Sequence, residues 1–278
     1  MSESTARHGR LVAATSLEDV EALDVAGGQV AFTTVACPGR ETNEDALGIF
    51  PIGEARAVVA VADGVGGQPA GESASRQVLE CVWDALLGAD PEAASLRAPI
   101  LDGIEAANRA LLEAGAGSAT TLALAELNGS ELRTYPVGDA ALLCVGQRGR
   151  IKLQTVSHSP VGYAVESGLL DPREALEHEE RHLISNAVGA TDMRIEVGTT
   201  LTMAPRDTLL LATDGVFDNA HRSELVALIR SGPLEPAASR LRSLCRRRMV
   251  APEADHPSKP DDLSLILFRP VPSRTRRV

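Results

Sequence analysis

Five short stretches of this chain set a carboxylate beside a turn. "VVAVADGVGG" (58–67) runs apolar into Asp63-Gly64, with Gly66 and Gly67 just beyond, and "LLLATDGV" (209–216) repeats the arrangement with Asp214-Gly215. "YPVGDA" places Asp139 between two short strand-like segments. "KPDDLSLILF" sets Asp261 and Asp262 at the entrance of an apolar run, and "RETNEDA" (40–46) carries Glu44 and Asp45. A single Asp-Gly after a strand is ordinarily a turn, because Asp bonds its own backbone and Gly accepts positive φ. Repetition changes that reading. Strand ends are rigid mounts from which short side chains converge, and glycine beside the acid lets a backbone carbonyl approach as a further oxygen donor. Converging carboxylates raise one another's pKa unless cations hold them apart. An all-oxygen donor set selects hard cations, Mg²⁺, Mn²⁺ or Ca²⁺, over Zn²⁺.

The elements that must mount these acids are legible in outline. "QVAFTTVA" (29–36) and "ALGIF" (46–50) are strand-like, and 58–62 is a continuous apolar run suited to a central strand. Apolar residues at helical spacing predict helices over 70–87 (Ala74, Val78, Val82, Trp83, Leu86) and 96–114 (Ile100, Leu101, Ile104, Leu111, Leu112), each followed by a stopping glycine, Gly88 and Gly115. "TTLALAEL", "ELRTYPV", "ALLCVG" and "IKLQTV" then read as strands joined by turn pairs such as Asn128-Gly129 and Arg148-Gly149. A Gly-, His- and Glu-rich insertion occupies about 160–190, after which "TTLTMA" and "TLLLATDG" return to strand character. Helices near 223–230 and 236–248 precede a last strand, 263–268. Two strand groups, each followed by a helix pair, imply two sheets between helical layers in one α+β domain. Residues 1–28 read as a tail or a loosely docked segment, and 271–278 as a short basic tail carrying Arg274, Arg276 and Arg277.

The 278 residues suffice for a full core, built from aliphatics because aromatics are only 3% of the chain. A net charge of −11 argues against a general nucleic-acid binder, which needs a basic face. Cys37, Cys81, Cys144 and Cys245 show no metal-binding or CxxC spacing and read as small hydrophobes in a reducing compartment. No basic-then-apolar leader is present, and no apolar stretch approaches the roughly 20 residues that span a bilayer, so a cytoplasmic protein without membrane contact is expected.

Taken in order, "RETNEDA", "VADGVGG", "ATTL", "VGDA", "ATDGVFDN" and "DDLSLIL" resemble the metal-dependent protein phosphatases, the type 2C or PPM serine/threonine phosphatases, in a bacterial-like form. The resemblance spans about 29 to 268, and 164–190 is similar to that family's flap and the segment after it. It implies a four-layer α-β-β-α sandwich of two mainly antiparallel sheets, a phosphatase domain over 29–270, and a centre of two Mn²⁺ or Mg²⁺ ions with a weaker third near the flap. By position, Asp63 resembles the carboxylate that bridges two ions, with the Gly64 carbonyl a further ligand. Asp214 and Asp261 resemble ligands of the first ion, and Glu44 of the second. Asp139 is similar to the residue that holds the third ion with Asp214. Asp45 resembles the acid that orients the attacking water, and Arg40 the guanidinium that receives the phosphate. The implied reaction is in-line attack of an activated water on phosphoserine or phosphothreonine, with two ions roughly 3.5–4 Å apart. The implied partners are phosphorylated proteins made by serine/threonine kinases, met by a monomer.

Three positions depart from the family's pattern. Val65 stands where many eukaryotic relatives carry a histidine proposed to protonate the leaving oxygen. Ser157 stands where an acid usually precedes His-Ser, and Asp262 where asparagine is usual. His158, His178 and His182 read as solvated residues in or beside the flap, and His8, His221 and His256 have no partner motif. "CRRRM" (245–249) reads as positive charge at a helix end, favoured by the dipole. Two rival readings are a pseudophosphatase that binds a phosphoprotein without turnover and a phosphatase of an anti-sigma-factor antagonist. The first is disfavoured by the intact Asp63, Asp214 and Asp261, the second by the lack of room for the sensor domain such relatives usually carry.

Overall fold

The apolar run 58–62 is continuous because its two faces enter two different cores. Val59 and Val61 pack between two sheets, while Val58, Ala60 and Ala62 pack under a pair of helices. Leu209 and Leu211 likewise face the inter-sheet core, and Leu210 and Ala212 a second helical layer. Period-2 alternation with both faces apolar is the mark of a strand covered on both sides. The computed structural model describes residues 9–65, 70–90, 95–115 and 117–271. Residues 1–8 with His8, Gly66 and Gly67, and 272–278 with the three tail arginines lie outside the described residues.

The first sheet runs β1 (Arg10–Ala13), β4 (Asp45–Pro51), β5 (Arg56–Val65), β6 (Ala119–Asn128), β7 (Glu131–Val137) and β10 (Leu201–Thr202) in spatial order. The second runs β2 (Glu21–Val25), β3 (Gly28–Val35), β12 (Leu263–Pro270), β11 (Thr208–Ala212), β8 (Ala141–Val145) and β9 (Ile151–Gln154). Every strand pairing is antiparallel. Helices α1 (Ala70–Leu87) and α2 (Arg97–Ala114) cover the first sheet, and α5 (Arg222–Ile229) and α6 (Leu234–Val250) cover the second. The α-β-β-α sandwich expected from the sequence is the fold.

Ala74, Val78, Val82 and Leu86 of α1, and Ile100, Ile104, Ala107 and Leu111 of α2, line one buried face each. Trp83 stacks on Phe50 at 4.9 Å. The entry to α2 is fixed by buried Glu126 on β6, whose carboxylate accepts from the Leu96 N–H (3.0 Å) and the Tyr135 hydroxyl (2.7 Å). A buried carboxylate is tolerable because both its oxygens are bonded.

Of the segment 1–28, read as a tail or a loosely docked segment, residues 10–25 are docked. They supply β1 and β2, an edge strand for each sheet, and the Arg10–Glu21 ion pair (2.8 Å) ties the two together. Their weak sequence signal follows from their place: edge strands bury little, and only Val12 and Val25 are buried within these two strands. "TTLTMA" yields only the two-residue β10. Cys37, Cys144 and Cys245 are buried thiols, Cys81 is half-buried, and all four are free.

The 160–190 insertion forms α3 (Pro160–Glu166) and two single turns of 3₁₀-helix, Glu174–Glu177 and Glu179–His182. Ser159 caps α3 by accepting from Gly162 N–H (2.9 Å), with Pro160 at the first helical position. The chain then returns to the first sheet through a bridge between Val188 and Thr120.

Candidate metal centre

The acids singled out by sequence gather at one end of the sandwich, where the two sheets meet. Asp45 opens β4 and lies directly opposite Asp63 of β5 in register. Like charges facing across a ladder are destabilising, so this pairing costs stability in the bare protein. Asp63 does not end its strand as the sequence reading has it. The ladder runs on through Gly64 and Val65, opposite Thr120 and Ala119, because β6 is long enough to pair with them. Thr120 Oγ1 donates to the Asp63 carbonyl (2.7 Å), which fixes the backbone under the carboxylate.

Gly64 is required by packing. A Cβ there would sit 2.2 Å from the Gly71 carbonyl oxygen, so only glycine lets the first turn of α1 lie against β5. A Cβ on Gly71 would in turn meet the Gly64 carbonyl oxygen at 2.9 Å and Glu44 Oε1 at 3.3 Å. The Gly64 carbonyl and the Glu44 carboxylate therefore converge on one small region. Ser75 of α1 holds Glu44 by donating to its carbonyl (2.5 Å).

Asp262 braces this side. Its two carboxylate oxygens accept from Cys37 N–H and Glu44 N–H, both at 2.6 Å, and so tie the loop before β4 to the start of β12. An asparagine could serve only one of these donors with an acceptor oxygen, which accounts for an acid at this position. Buried Asp45 is positioned through Thr213, whose hydroxyl donates to Oδ2 (2.9 Å) while accepting from Ser264 N–H (3.0 Å). Arg40 is exposed at the rim, its guanidinium 4.0 Å from Glu44 Oε2.

Across the site, Asp214 opens the short helix α4 (Asp214–Phe217) rather than ending a strand. A Cβ on Gly215 would fall 1.9 Å from the Asp262 carbonyl oxygen, which again demands glycine. Lys259 reaches three carboxylates here: its ammonium contacts Asp214 Oδ2 and lies 3.2 Å from both Asp218 Oδ2 and Asp261 Oδ2. Asp218 and Lys259 were missed in the sequence, although Asp218 follows Asp214 by four residues in "ATDGVFDN". That spacing puts both acids on one helical face.

Asp139 sits in the turn between β7 and β8, and that turn is held by His158. The His158 ring is buried, its Nδ1 accepting from Gly138 N–H (3.1 Å) and lying 2.8 Å from Asn186 Nδ2, while Nε2 is 3.1 Å from Glu196. His158 is thus a positioning residue between the Asp139 turn and the 186–196 segment, not the solvated side chain expected. His178 accepts from Glu180 N–H in a local turn (3.1 Å). Arg248 of the "CRRRM" run is also buried, forked onto Glu224 at 2.7 and 2.8 Å and donating to Asn219 O (2.8 Å). His221 and His256 lie beside that pair, so these residues have partners the sequence did not show.

Electrostatics separate the acids from ordinary ones. Burial, then repulsion from Asp45, Asp214, Asp139 and Asp261, pushes Asp63 well above the usual carboxylate range. Asp45 is likewise raised, by burial first and Asp262 next. Burial and the Asp214 charge push Asp139 up to about 8 and Asp261 up to about 6. Asp218 is pushed up to about 6 by the same two causes. Glu44 is raised by burial and Asp262, with Arg40 opposing. For Lys259, burial acts downward, but the three carboxylates outweigh it and hold the ammonium above its ordinary value.

Among the described residues, three buried oxygens of the cluster have no hydrogen-bond partner: Glu44 Oε1, Asp45 Oδ1 and Asp214 Oδ1. Unpartnered carboxylate oxygens at a crowded acidic site fit hard divalent cations, which supply both the missing bond and the missing charge. Beside the cluster opens a cavity of about 540 Å³. Asp139, Asp214 and Asp218 form part of its wall, and Val161, Val165 and Leu176 of the insertion form another.

Comparison with known proteins places the chain. The profile of the protein phosphatase 2C family matches residues 39–249. The serine/threonine phosphatase Stp of Listeria welshimeri is 29% identical over 204 residues, covering 69% of this chain and 79% of that protein. The structure of MsPP, a PPM Ser-Thr phosphatase from Mycobacterium smegmatis solved with cacodylate, superposes with a TM-score of 0.71 at 26% identity, covering 86% of this chain and 97% of that one. The catalytic domain of PstP, solved in complex with two manganese ions, gives a TM-score of 0.70 at 24% identity, covering 87% and 98%. With the family profile spanning most of its length and its fold shared, this chain belongs to the protein phosphatase 2C family of PPM-type serine/threonine phosphatases.

Proposed function

We propose that the chain hydrolyses phosphoserine and phosphothreonine in proteins at a divalent-metal centre built from Asp63, the Gly64 carbonyl, Glu44, Asp139, Asp214 and Asp261. The observation that carries this is the set of orphaned buried oxygens on Glu44, Asp45 and Asp214 at one crowded site. The all-oxygen donors favour Mn²⁺ or Mg²⁺, two ions in the main centre and a third toward Asp139. Such ions, when bound, supply Lewis-acid charge to the phosphoryl group and a polarised water.

The remaining work falls to the chain. Asp63, with its backbone fixed by Thr120, is the rigid central carboxylate. Asp45 keeps Oδ2 on Thr213, leaving Oδ1 to accept a hydrogen bond from the attacking water and aim it. Arg40, at the exposed rim, takes two phosphate oxygens with its planar fork, a geometry lysine lacks. Attack forms a bond from water oxygen to phosphorus as the bond to the seryl or threonyl oxygen breaks. The leaving oxygen takes its proton from solvent, since Val65 offers none and both His158 nitrogens are engaged. The substrates are products of a serine/threonine kinase, and the enzyme works as a cytoplasmic monomer.

The test is phosphate release from a phosphothreonine peptide with Mn²⁺, with chelator, and by an Arg40→Ala variant. Expected are release only with metal and, for the variant, a raised KM. Metal-independent release would overturn the reading.

A further inference from the structure

Of the 27 lysines and arginines in the chain, only Lys152 and Lys259 are lysine. Lys259 is the one basic side chain among the described residues that forms ion pairs with Asp214, Asp218 and Asp261. Its placement is built. Buried Asn219 clamps the Lys259 backbone at both ends, accepting from its N–H (2.8 Å) and donating to its carbonyl (2.8 Å). Asn219 is held in turn by donation to Gly215 O (3.0 Å) and by buried Arg248, which donates to the Asn219 carbonyl (2.8 Å). The neighbouring Ser258 hydroxyl donates to Arg248 O (2.9 Å). A lysine that merely decorated the surface would need none of this scaffold. On the opposite side of the cluster, the one cation among the described residues that pairs with Glu44 is Arg40, at 4.0 Å and exposed, and Asp45 pairs with a hydroxyl.

Resting on the metal-centre reading above, we propose that Lys259 is an internal counter-ion for the acid cluster. A divalent ion that binds among Asp214, Asp218 and Asp261 must displace its ammonium. The cluster then fills unequally. The Asp63–Glu44 side, where the one nearby cation among the described residues is the exposed Arg40 at 4.0 Å, takes its ion first, while occupancy on the Asp214–Asp218 side is weakened by the work of moving Lys259 aside. In the unloaded protein the same ammonium holds together carboxylates that would otherwise repel.

The experiment is calorimetric Mn²⁺ titration of the full chain, wild type against Lys259→Gln and Lys259→Arg, with amine acylation of the wild type read by mass spectrometry. Loss of a unit positive charge at contact distance should tighten the weakest Mn²⁺ site of Lys259→Gln at least about tenfold. Lys259→Arg, which keeps the charge, should not tighten it. In the wild type, acylation of Lys259 relative to Lys152 should rise several-fold when Mn²⁺ is added to chelated protein, since Lys152 is held apart on Asp207. Unchanged Mn²⁺ affinity in Lys259→Gln, equal tightening in both variants, or acylation indifferent to Mn²⁺ would each overturn the counter-ion. Should Lys259→Gln fail to fold, the wild-type acylation result decides alone. Failure of the underlying reading looks different: the wild type itself would bind no Mn²⁺.

Discussion

The chain contains the same device twice, Asp63-Gly64 and Asp214-Gly215, and the two copies are mounted differently. In both, glycine admits a backbone carbonyl that any side chain would strike, from Gly71 in one and Asp262 in the other. Asp63, however, sits inside a continuous ladder opposite a second acid, Asp45. Asp214 opens a single-turn helix and shares a lysine with two further acids. One copy concentrates uncompensated charge on a rigid strand; the other carries its own cation on an anchored loop. A dipeptide therefore fixes the packing need without fixing the electrostatics, which come from distant residues.

The sharpest way to break this comparison is to neutralise each acid in turn. Asp63→Asn should lower kcat/KM by about a hundredfold or more, since it removes the central carboxylate of the proposed metal centre. The same variant should raise the melting temperature of the chelated protein, because repulsion with Asp45 and the cost of burying a charge both vanish. Asp214→Asn should also lose activity but give no such gain, because Lys259 then loses a partner. Equal stabilisation by both variants would erase the distinction.

The glycines test the shared half of the device. Gly215→Ala places a methyl 1.9 Å from a backbone oxygen and Gly64→Ala one 2.2 Å from another, so both require backbone movement. Each should cost about 1–3 kcal/mol in denaturant unfolding, with Gly215 the costlier, and should weaken Mn²⁺ binding. A variant that kept full stability would show that the close approach is not needed.

The fold and most of the acid cluster could be read from sequence because both leave local marks. Strands buried on two faces write long apolar runs, as at 58–62, and helices facing one core write the 3.6-residue stripe of Val78, Val82 and Leu86. What escaped has no local mark. β1 and β2 lie at sheet edges and bury too little to show a pattern. His158 and Arg248 look like polar residues near a loop or helix end, and only folding brings Gly138, Asn186 and Glu224 to them. Lys259 stands two residues before Asp261, yet nothing local foretells that Asp214, 45 residues away, shares its ammonium. Motif order located the acids; partners set by tertiary contact were invisible.

Protonation sharpens the comparison further. In the chelated protein Asp218 and Asp261 are pushed up to about 6 and Asp139 to about 8, above the ordinary 3.8. Folded protein then holds more protons than unfolded protein across that interval, so stability falls as pH rises. The contribution is complete below about pH 4 and is lost through about 6 and then about 8. Melting temperature with chelator should therefore decline from pH 5 to 8.5. With saturating Mn²⁺ the slope over the same range should flatten or reverse, because ion binding needs the carboxylates ionised and releases their protons. Parallel slopes with and without Mn²⁺ would separate these acids from the metal.

The smallest expected effect lies where the two halves touch. Thr213, the residue before Asp214, donates to Asp45 Oδ2 on the other sheet and accepts from Ser264 N–H. Thr213→Val keeps the shape, strands one buried N–H and frees Asp45 to turn, at a cost of about 1–3 kcal/mol in unfolding. Because Asp45 aims the water in the proposed mechanism and does not touch the substrate protein, kcat should fall several-fold with KM for the phosphopeptide unchanged. Thr213→Ser, which restores the hydroxyl, should return kcat toward wild type even if the lost methyl leaves some stability unrecovered. That split between the two readouts is what a purely structural threonine would not produce: there, kcat would follow stability in both variants. A rescued kcat would mean that a single hydroxyl carries orientation from one sheet's acid to the other's loop.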